Sequence, residues 1–267
     1  MSTLLEVEGL QKTFGGGSGL FGAKRPAVRA VDSISFSLAR GETLGLVGET
    51  GSGKSTLGRL VLRLIEPSAG TVRFEGQDVT AASKAGLRAL RPRMQMVFQD
   101  PYGSLDPRMT AGAIIAEPMV AHGIARAEAS RRAADLLGSV GLSPAMAARY
   151  PHEFSGGQRQ RIGIARALAV KPKLIVADEP VSALDVSVQK QVLELLNDLR
   201  KSFGLSMLFI THDLRVAATV CEEIAIMQRG EIVEQGATAA IFASPAHPYT
   251  RSLFDAVPGR EWISGLG

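Results

Sequence analysis

GETGSGKST, residues 48–56, decides the fold, because it matches the pattern GxxxxGK[ST] of a phosphate-binding loop. Its glycines let the backbone wrap around an anion with the N–H groups pointing inward, and the following helix adds its positive N-terminal end. Lys54 can reach the β- and γ-phosphates of ATP, and the Ser55 hydroxyl can ligate Mg²⁺. The sequence therefore predicts ATP contacts at Gly48, Glu49, Thr50, Gly51, Ser52, Gly53, Lys54, Ser55 and Thr56.

Strand and helix patterns alternate around this loop. Short apolar runs that indicate buried strands lie at residues 43–47, 173–177, 206–210 and 224–227. Helical spacing covers residues 53–65, with Leu64 on the apolar face, and residues 186–203 and 214–221. A strand before the loop and a helix after it argue against the alternative, a chance match in a flexible glycine-rich loop. Residues 111–155 show only helical patterns, so we predict an α/β fold with a parallel sheet and a helical lobe.

Composition limits the classes of protein that fit. With 267 residues, 45% of them hydrophobic, the chain can bury a substantial core in one or two domains. Its net charge of +4 suits an anionic ligand, but the arginines form no basic run, so we expect no nucleic-acid binding. The single cysteine fits a reducing compartment, and the first residues do not resemble a secretory signal. Because no stretch approaches the roughly 18 apolar residues of a membrane span, any membrane role requires a partner.

Two carboxylates, Asp178 and Glu179, follow the apolar run at residues 173–177. Ligands of a parallel sheet bind beyond the carboxyl ends of its strands. Asp178 is therefore predicted to hold Mg²⁺ through its water shell, and Glu179 to orient or deprotonate the attacking water. A turn or a helix cap is the alternative for such a pair, but a phosphate loop earlier in the chain favours the catalytic interpretation.

A second helix start suited to an anion lies at residues 154–159, FSGGQR. Ser155 is a natural N-cap, and the two glycines after it leave backbone N–H groups open. A capped helix without any ligand explains the same residues. However, the phosphate loop alone already provides a complete anion-binding site, so a second helix start suited to an anion needs a separate explanation.

Together these motifs resemble those of the ATP-binding subunits of ABC transporters, and the resemblance covers nearly the whole chain. It implies that two subunits close over ATP, each completing the site of the other through Ser155, Gly156, Gly157 and Gln158. Gln99 resembles the glutamine of the family that contacts Mg²⁺ and the water. Asp185 resembles the aspartate of the loop that crosses the dimer interface, and His212 resembles the histidine that contacts the γ-phosphate.

The resemblance also implies a domain organisation. A single nucleotide-binding domain spans residues 1–267, with an N-terminal antiparallel β subdomain and an inserted helical subdomain at residues 100–165. Phe14 is the candidate for the aromatic side chain that stacks on adenine, with a core aromatic at the end of the first strand as the alternative. Phe21 is a second candidate for the adenine contact.

Two further stretches resemble importers of oligopeptides and dipeptides, namely residues 98–110 and the His-Pro-Tyr segment, residues 245–267. Many such proteins carry several cysteines after this segment, whereas this sequence has one. Import of nickel, opines or sugars therefore stays an alternative to peptide import. The structural alternative for the segment is a turn started by proline and a short helix at residues 249–257.

The implied partners are a second ATPase subunit, identical or related, two transmembrane permease subunits and, through these, a periplasmic or extracellular binding protein. The resemblance places the chain at the cytoplasmic face of the cell membrane as a peripheral subunit. An exporter subunit, a soluble ABC-type ATPase acting on nucleic acid and a P-loop kinase are the alternatives. The kinase leaves the Ser155 motif and His212 unexplained.

Overall fold

The computed structural model describes residues 2–15, 27–100 and 103–256. Phe21 and the end of the His-Pro-Tyr segment, residues 257–267, therefore lie outside the described residues. The chain divides into a first unit, residues 1–83 with 208–267, and a second unit, residues 84–207. None of the helices in the described ranges has both the length and the apolar composition that a membrane span requires.

Strands and helices follow one another along both units. The strands are β1 (Thr3–Phe14), β2 (Val28–Ala39), β3 (Thr43–Val47), β4 (Ala69–Phe74), β5 (Gln77–Asp78), β6 (Met94–Val97), β7 (Leu174–Asp178), β8 (Ser206–Thr211), β9 (Glu223–Gln228) and β10 (Glu231–Ala237). The helices are α1 (Lys54–Val61), α2 (Lys84–Leu90), α3 (Ala111–Ala121), α4 (Arg126–Ser139), α5 (Gly156–Leu168), α6 (Val186–Phe203), α7 (Leu214–Val220), α8 (Thr238–Ala243) and α9 (Pro248–Asp255).

The first unit contains an antiparallel sheet with the strand order β2-β1-β4-β5. Val7 on β1 is paired with Phe36 on β2 and with Val72 on β4, and all three side chains are buried. This sheet is the N-terminal antiparallel subdomain that the family resemblance implied, and the prediction is confirmed.

Both units contain parallel strand pairs. In the first unit the strand order is β10-β9-β3-β8, with β3 parallel to β9, and in the second unit β6 is parallel to β7. Strands β3, β7 and β8 are buried along their whole length, as the apolar runs predicted. The last strand, β10, is antiparallel to β9 and was missed, because an edge strand with glutamates and a half-exposed surface has no apolar run.

Two helix boundaries differ from the sequence prediction. Helix α1 ends at Val61, because Arg63 adopts a positive φ of 46°, which an α-helix does not contain. Leu64 is consequently 45% exposed instead of lying on the core face. Helix α3 begins at Ala111, five residues before the predicted start near residue 116, because the Thr110 side chain accepts a hydrogen bond from the Ala113 N–H and caps the helix.

The helical part of the second unit is built from α3, α4 and α5. Their packed faces carry side chains that are almost completely buried, namely Ile114, Ile115, Met119, Ala133, Leu137 and Ile162. A 3₁₀ turn at Pro144–Ala148 replaces the helix predicted at residues 144–149. The predicted helical subdomain at residues 100–165 falls inside this unit, and its bounds stay a prediction.

Phe74→Ala should lower the free energy of unfolding by about 3–5 kcal/mol, because the ring is completely buried and its removal leaves a cavity. Phe14→Ala is the matched control. Phe14 is 44% exposed and its ring lies 5.0 Å from the Lys12 ammonium, so its loss should cost less than about 1 kcal/mol. Urea denaturation followed by circular dichroism measures both variants. Equal costs would contradict the placement of Phe74 in the core.

Candidate functional site

The phosphate loop joins β3 to α1 in the first unit, and its glycines touch other backbone segments. A Cβ atom on Gly48 would lie 2.2 Å from the carbonyl oxygen of Met227, and one on Gly53 would lie 2.1 Å from that of Ala30. Gly53 also has a φ of 104°, in the left-handed region. The loop is therefore pressed against the backbone of β2 and β9 at two points where only glycine fits.

Lys54 is almost completely buried inside this loop. Its ammonium group donates hydrogen bonds to the carbonyl oxygens of Gly48 at 2.6 Å and Glu49 at 2.7 Å. The N-cap of α1 is Gly53, which has no side chain to cover the first N–H groups of the helix. A buried ammonium and an uncovered helix start together favour an anionic ligand such as a phosphate chain.

Two further contacts hold the ends of the loop. The Gly230 N–H, in the turn between β9 and β10, donates to the Ser52 carbonyl at 2.9 Å. The Glu49 N–H donates to the hydroxyl of Tyr249 on α9 at 3.3 Å. Sequence reasoning missed both residues, because nothing in the local pattern indicates that these distant segments reach the loop.

His212 directly follows β8 and is exposed. The next residue, Asp213, caps α7 by accepting a hydrogen bond from the Arg215 N–H at 2.8 Å. Partial burial alone would raise the pKa of Asp213, but the hydrogen bond and the positive charge of the Arg215 side chain lower it below its ordinary value. Asp213 therefore stays ionised and fixes the turn that carries His212.

Phe14 ends β1 and is 44% exposed, so its ring does not lie in the core. The interpretation of Phe14 as a core aromatic is therefore wrong. Its role as the adenine-stacking residue stays a prediction.

In the second unit, the structure brings together two residues that are 80 positions apart in the sequence. The Gln99 side-chain amide donates a hydrogen bond to the Glu179 carboxylate at 3.1 Å. Glu179 and its neighbour Asp178 are both buried at the carboxyl end of β7. A nearly buried carboxylate with a fixed amide donor is oriented for work as a general base.

The backbone of Glu179 is strained. Its φ is 44°, a left-handed conformation that costs a residue other than glycine about 1 kcal/mol or more. Ser182 stabilises this turn, because its N–H and its hydroxyl both donate to the Glu179 carbonyl, at 3.3 and 3.1 Å. Strained residues held by their surroundings are typical of catalytic positions.

The SGGQ motif starts α5 with a capping box. The Ser155 hydroxyl accepts a hydrogen bond from the Gln158 N–H, and the Gln158 side chain accepts one from the Ser155 N–H. A Cβ atom on Gly157 would lie 2.4 Å from the Val188 side chain at the start of α6, so the two helix starts pack closely. Ser155 itself stays exposed.

Asp185 lies beside this motif as the N-cap of α6. Its carboxylate accepts a hydrogen bond from the Val188 N–H at 3.0 Å, which lowers the pKa of Asp185 below its ordinary value. The carboxylate is exposed and ionised at neutral pH. The second unit therefore presents Ser155 and Asp185 together at one surface, next to the starts of two helices.

Comparisons with known proteins agree with these features. The family model described as ABC transporter matches residues 31–182. The chain is 55% identical over 96% of its length to a probable peptide ABC transporter ATP-binding protein of Sinorhizobium fredii, and covers 72% of that protein. It is 50% identical to the oligopeptide transport ATP-binding protein of Bacillus subtilis, with 96% of this chain and 78% of that protein aligned. The glutathione import ATP-binding protein of Salmonella paratyphi A is 54% identical over 96% of this chain, which spans 41% of that longer protein.

Solved structures show the same fold. A dimeric ATP-binding cassette in a post-hydrolysis state with ADP and phosphate is 28% identical, with a TM-score of 0.78 over 88% of this chain and 99% of the other. CbiO1 of Clostridium perfringens, which is part of the ABC transporter complex CbiONQ, is 26% identical, with a TM-score of 0.79 over 97% of both chains. The predicted fold class is confirmed. The chain belongs to the ABC transporter family, as an ATP-binding and ATP-hydrolysing subunit.

Proposed function

We propose that this chain energises the uptake of small peptides through partner permeases. The observation that carries the proposal is an identity of 50–55% over nearly the whole chain to ATP-binding proteins named for peptide and oligopeptide transport. The third relative, named for glutathione import, acts on a molecule that is itself a tripeptide. The proposed cargo is therefore an oligopeptide or dipeptide, and the proposed location is the cytoplasmic face of the cell membrane.

ATP is the proposed substrate of the phosphate loop, with contacts from Gly48 to Thr56 and adenine stacking on Phe14. Glu179 orients a water molecule and accepts its proton as the water attacks the γ-phosphorus. The bond from the γ-phosphorus to the bridging oxygen breaks, giving ADP and phosphate. Gln99 holds the Glu179 carboxylate in place, and His212 contacts the γ-phosphate.

The residues proposed to hold Mg²⁺ are Ser55, Asp178 and Gln99. They offer a hydroxyl, a carboxylate and an amide, and oxygen atoms are the ligands that Mg²⁺ prefers. The Gln99 nitrogen donates to Glu179, so its amide oxygen is the end suited to a cation. When bound, the ion neutralises charge on the phosphate oxygens.

Two ATPase subunits, identical or related, are proposed to pair through the surface that carries Ser155, Gly156, Gly157, Gln158 and Asp185. Three observations support this surface. Ser155, which caps a helix start suited to an anion, is exposed and therefore accessible to a partner. Asp185 is exposed beside it, and the next residue, Val186, is 82% exposed, so its aliphatic side chain is available for burial on pairing.

A cavity in the helical part of the second unit is proposed to receive a cytoplasmic segment of a permease. It has a volume of about 460 Å³ and lies between α3 and α4, with a mainly apolar lining that includes Met109, Ala113, Ala116, Val120, Glu117 and Arg126. An apolar depression with two charged residues at its lining suits an amphipathic helix. The binding protein outside the membrane would act through the permeases.

Glu179→Gln should reduce ATP hydrolysis by at least about a hundredfold, because the amide cannot accept the proton of the attacking water. ATP binding should persist, so that the variant accumulates as a closed dimer. Phosphate release and size-exclusion chromatography with ATP and Mg²⁺ measure these two properties. Glu194→Gln, at an exposed position of α6, is the control and should behave like the unmodified protein. Hydrolysis at the normal rate in Glu179→Gln would show that the role of Glu179 is wrong.

Val186→Glu should weaken ATP-dependent pairing at least about tenfold, because it places a charge in the proposed interface. Glutamate is favourable in the first turn of a helix, so α6 should remain intact. Analytical ultracentrifugation of the Glu179→Gln protein, with and without the second substitution, measures the association. Leu64→Glu, at another exposed aliphatic residue, is the control. An unchanged dimer affinity in Val186→Glu would show that this surface is not the pairing interface.

Ala113→Arg should uncouple transport from hydrolysis, because Ala113 is an exposed residue of the cavity and the longer side chain would fill it. Peptide uptake by reconstituted transporter should fall at least about tenfold, whereas the ATPase activity of the free subunit should remain unchanged. Ala127→Arg introduces the same side chain at an exposed position outside the cavity lining and should leave uptake intact. Equal uptake by both variants would rule out the cavity as the permease contact.

A further inference from the structure

The His-Pro-Tyr segment reaches the phosphate loop within the first unit. Tyr249, in the first turn of α9, is almost completely buried. Its hydroxyl accepts the hydrogen bond from the Glu49 N–H at 3.3 Å. Burial raises the pKa of Tyr249, so the hydroxyl stays neutral and can accept this bond around pH 7.

The N–H that Tyr249 binds belongs to the same peptide group as the Gly48 carbonyl. That carbonyl accepts the hydrogen bond from the Lys54 ammonium at 2.6 Å. A trans peptide group is planar, and its N–H and C=O point in opposite directions. One flat group is therefore held by Tyr249 on one side and by Lys54 on the other.

This peptide group would otherwise be easy to rotate. It follows Gly48, which lacks the Cβ atom that restricts the backbone of other residues. A rotation of the group would turn the Gly48 carbonyl away from the Lys54 ammonium. The contact with Tyr249 thus opposes a rotation that would remove one of the two carbonyl hydrogen bonds that hold the Lys54 ammonium.

Tyr249 is in turn fixed by hydrogen bonds around the start of α9. The His247 side chain caps the helix by accepting a hydrogen bond from the Tyr249 N–H at 3.2 Å. The N–H groups of Ala246 and His247 donate to the Glu234 carboxylate on β10, at 2.8 and 3.0 Å. On the next turn, the ring of Phe254 packs edge-on against Phe242 of α8, with 4.7 Å between the ring centroids. The tyrosine hydroxyl is therefore held on a rigid support.

We infer that Tyr249 is a positioning residue for nucleotide binding, which fixes the Gly48–Glu49 peptide group and thereby the ammonium of Lys54. The inference rests on ATP binding at the phosphate loop. It gives the His-Pro-Tyr segment a role beyond packing. Since Lys54 faces the phosphates both before and during hydrolysis, loss of the contact affects binding of ATP more than turnover.

Tyr249→Phe removes the hydroxyl and keeps the buried ring. The Kd and the KM for ATP should rise about threefold to tenfold, whereas kcat should stay within about twofold of the unmodified protein. The melting temperature without nucleotide should fall by no more than about 4 °C, since one hydrogen bond is lost and the ring packing is retained. Ser252→Ala is the matched control, because it removes another hydroxyl of α9, which bonds to the Tyr249 carbonyl at 2.8 Å and not to the loop.

Coupling between two sites is reciprocal, so ATP should also stabilise α9. Hydrogen exchange of the α9 amides should slow when ATP binds to the unmodified protein and to Ser252→Ala, and this protection should be weaker in Tyr249→Phe. An unchanged Kd together with unchanged protection in Tyr249→Phe would overturn the inference. If Tyr249→Phe lowered the melting temperature but left the Kd and the KM for ATP unchanged, Tyr249 would contribute only to packing. If the unmodified protein failed to bind ATP, the proposed function itself would be wrong.

Discussion

The close backbone contact of the phosphate loop is the constraint on which the first unit depends. Gly48 and Gly53 lie so near the carbonyl groups of Met227 and Ala30 that a single added carbon atom would collide with them. This contact places the start of α1 and the Lys54 ammonium at the carboxyl end of β3, where ligands of parallel sheets bind. The turn between β9 and β10 holds one end of the phosphate loop, and Tyr249 holds the other. The conformation of the loop therefore depends on distant parts of the chain.

Two residues predicted to be functional stand out in the second unit, because the backbone of Glu179 is strained and Ser155 is exposed to solvent. Glu179 has an unfavourable backbone conformation and is held by Ser182 and Gln99. Ser155 satisfies its own helix start through a capping box and still remains at the surface. The strain at Glu179 lowers the stability of the fold, whereas the capped start of α5 costs nothing and stays accessible. Both features support the roles proposed for Glu179 and Ser155.

Strongly patterned elements were predictable from the sequence, and weakly patterned ones were not. The buried strands β3, β7 and β8 have continuous apolar runs, and α6 was predicted with the bounds that the structure shows. The edge strand β10 was missed, because one of its sides faces solvent and its residues are mixed. The end of α1 was predicted too late in the sequence. The left-handed residue that ends the helix is Arg63, whereas the usual sequence signal for such an end is a glycine.

The sequence by itself determined the phosphate loop, the acidic pair and the SGGQ motif, because each depends on residues that are neighbours along the chain. The tertiary structure alone decided that Gln99 holds Glu179 and that Tyr249 reaches the Glu49 N–H. These pairs are separated by 80 and 200 positions. Contacts at such separation depend on how strands and helices pack, and packing leaves no local periodicity in the sequence from which it could be predicted.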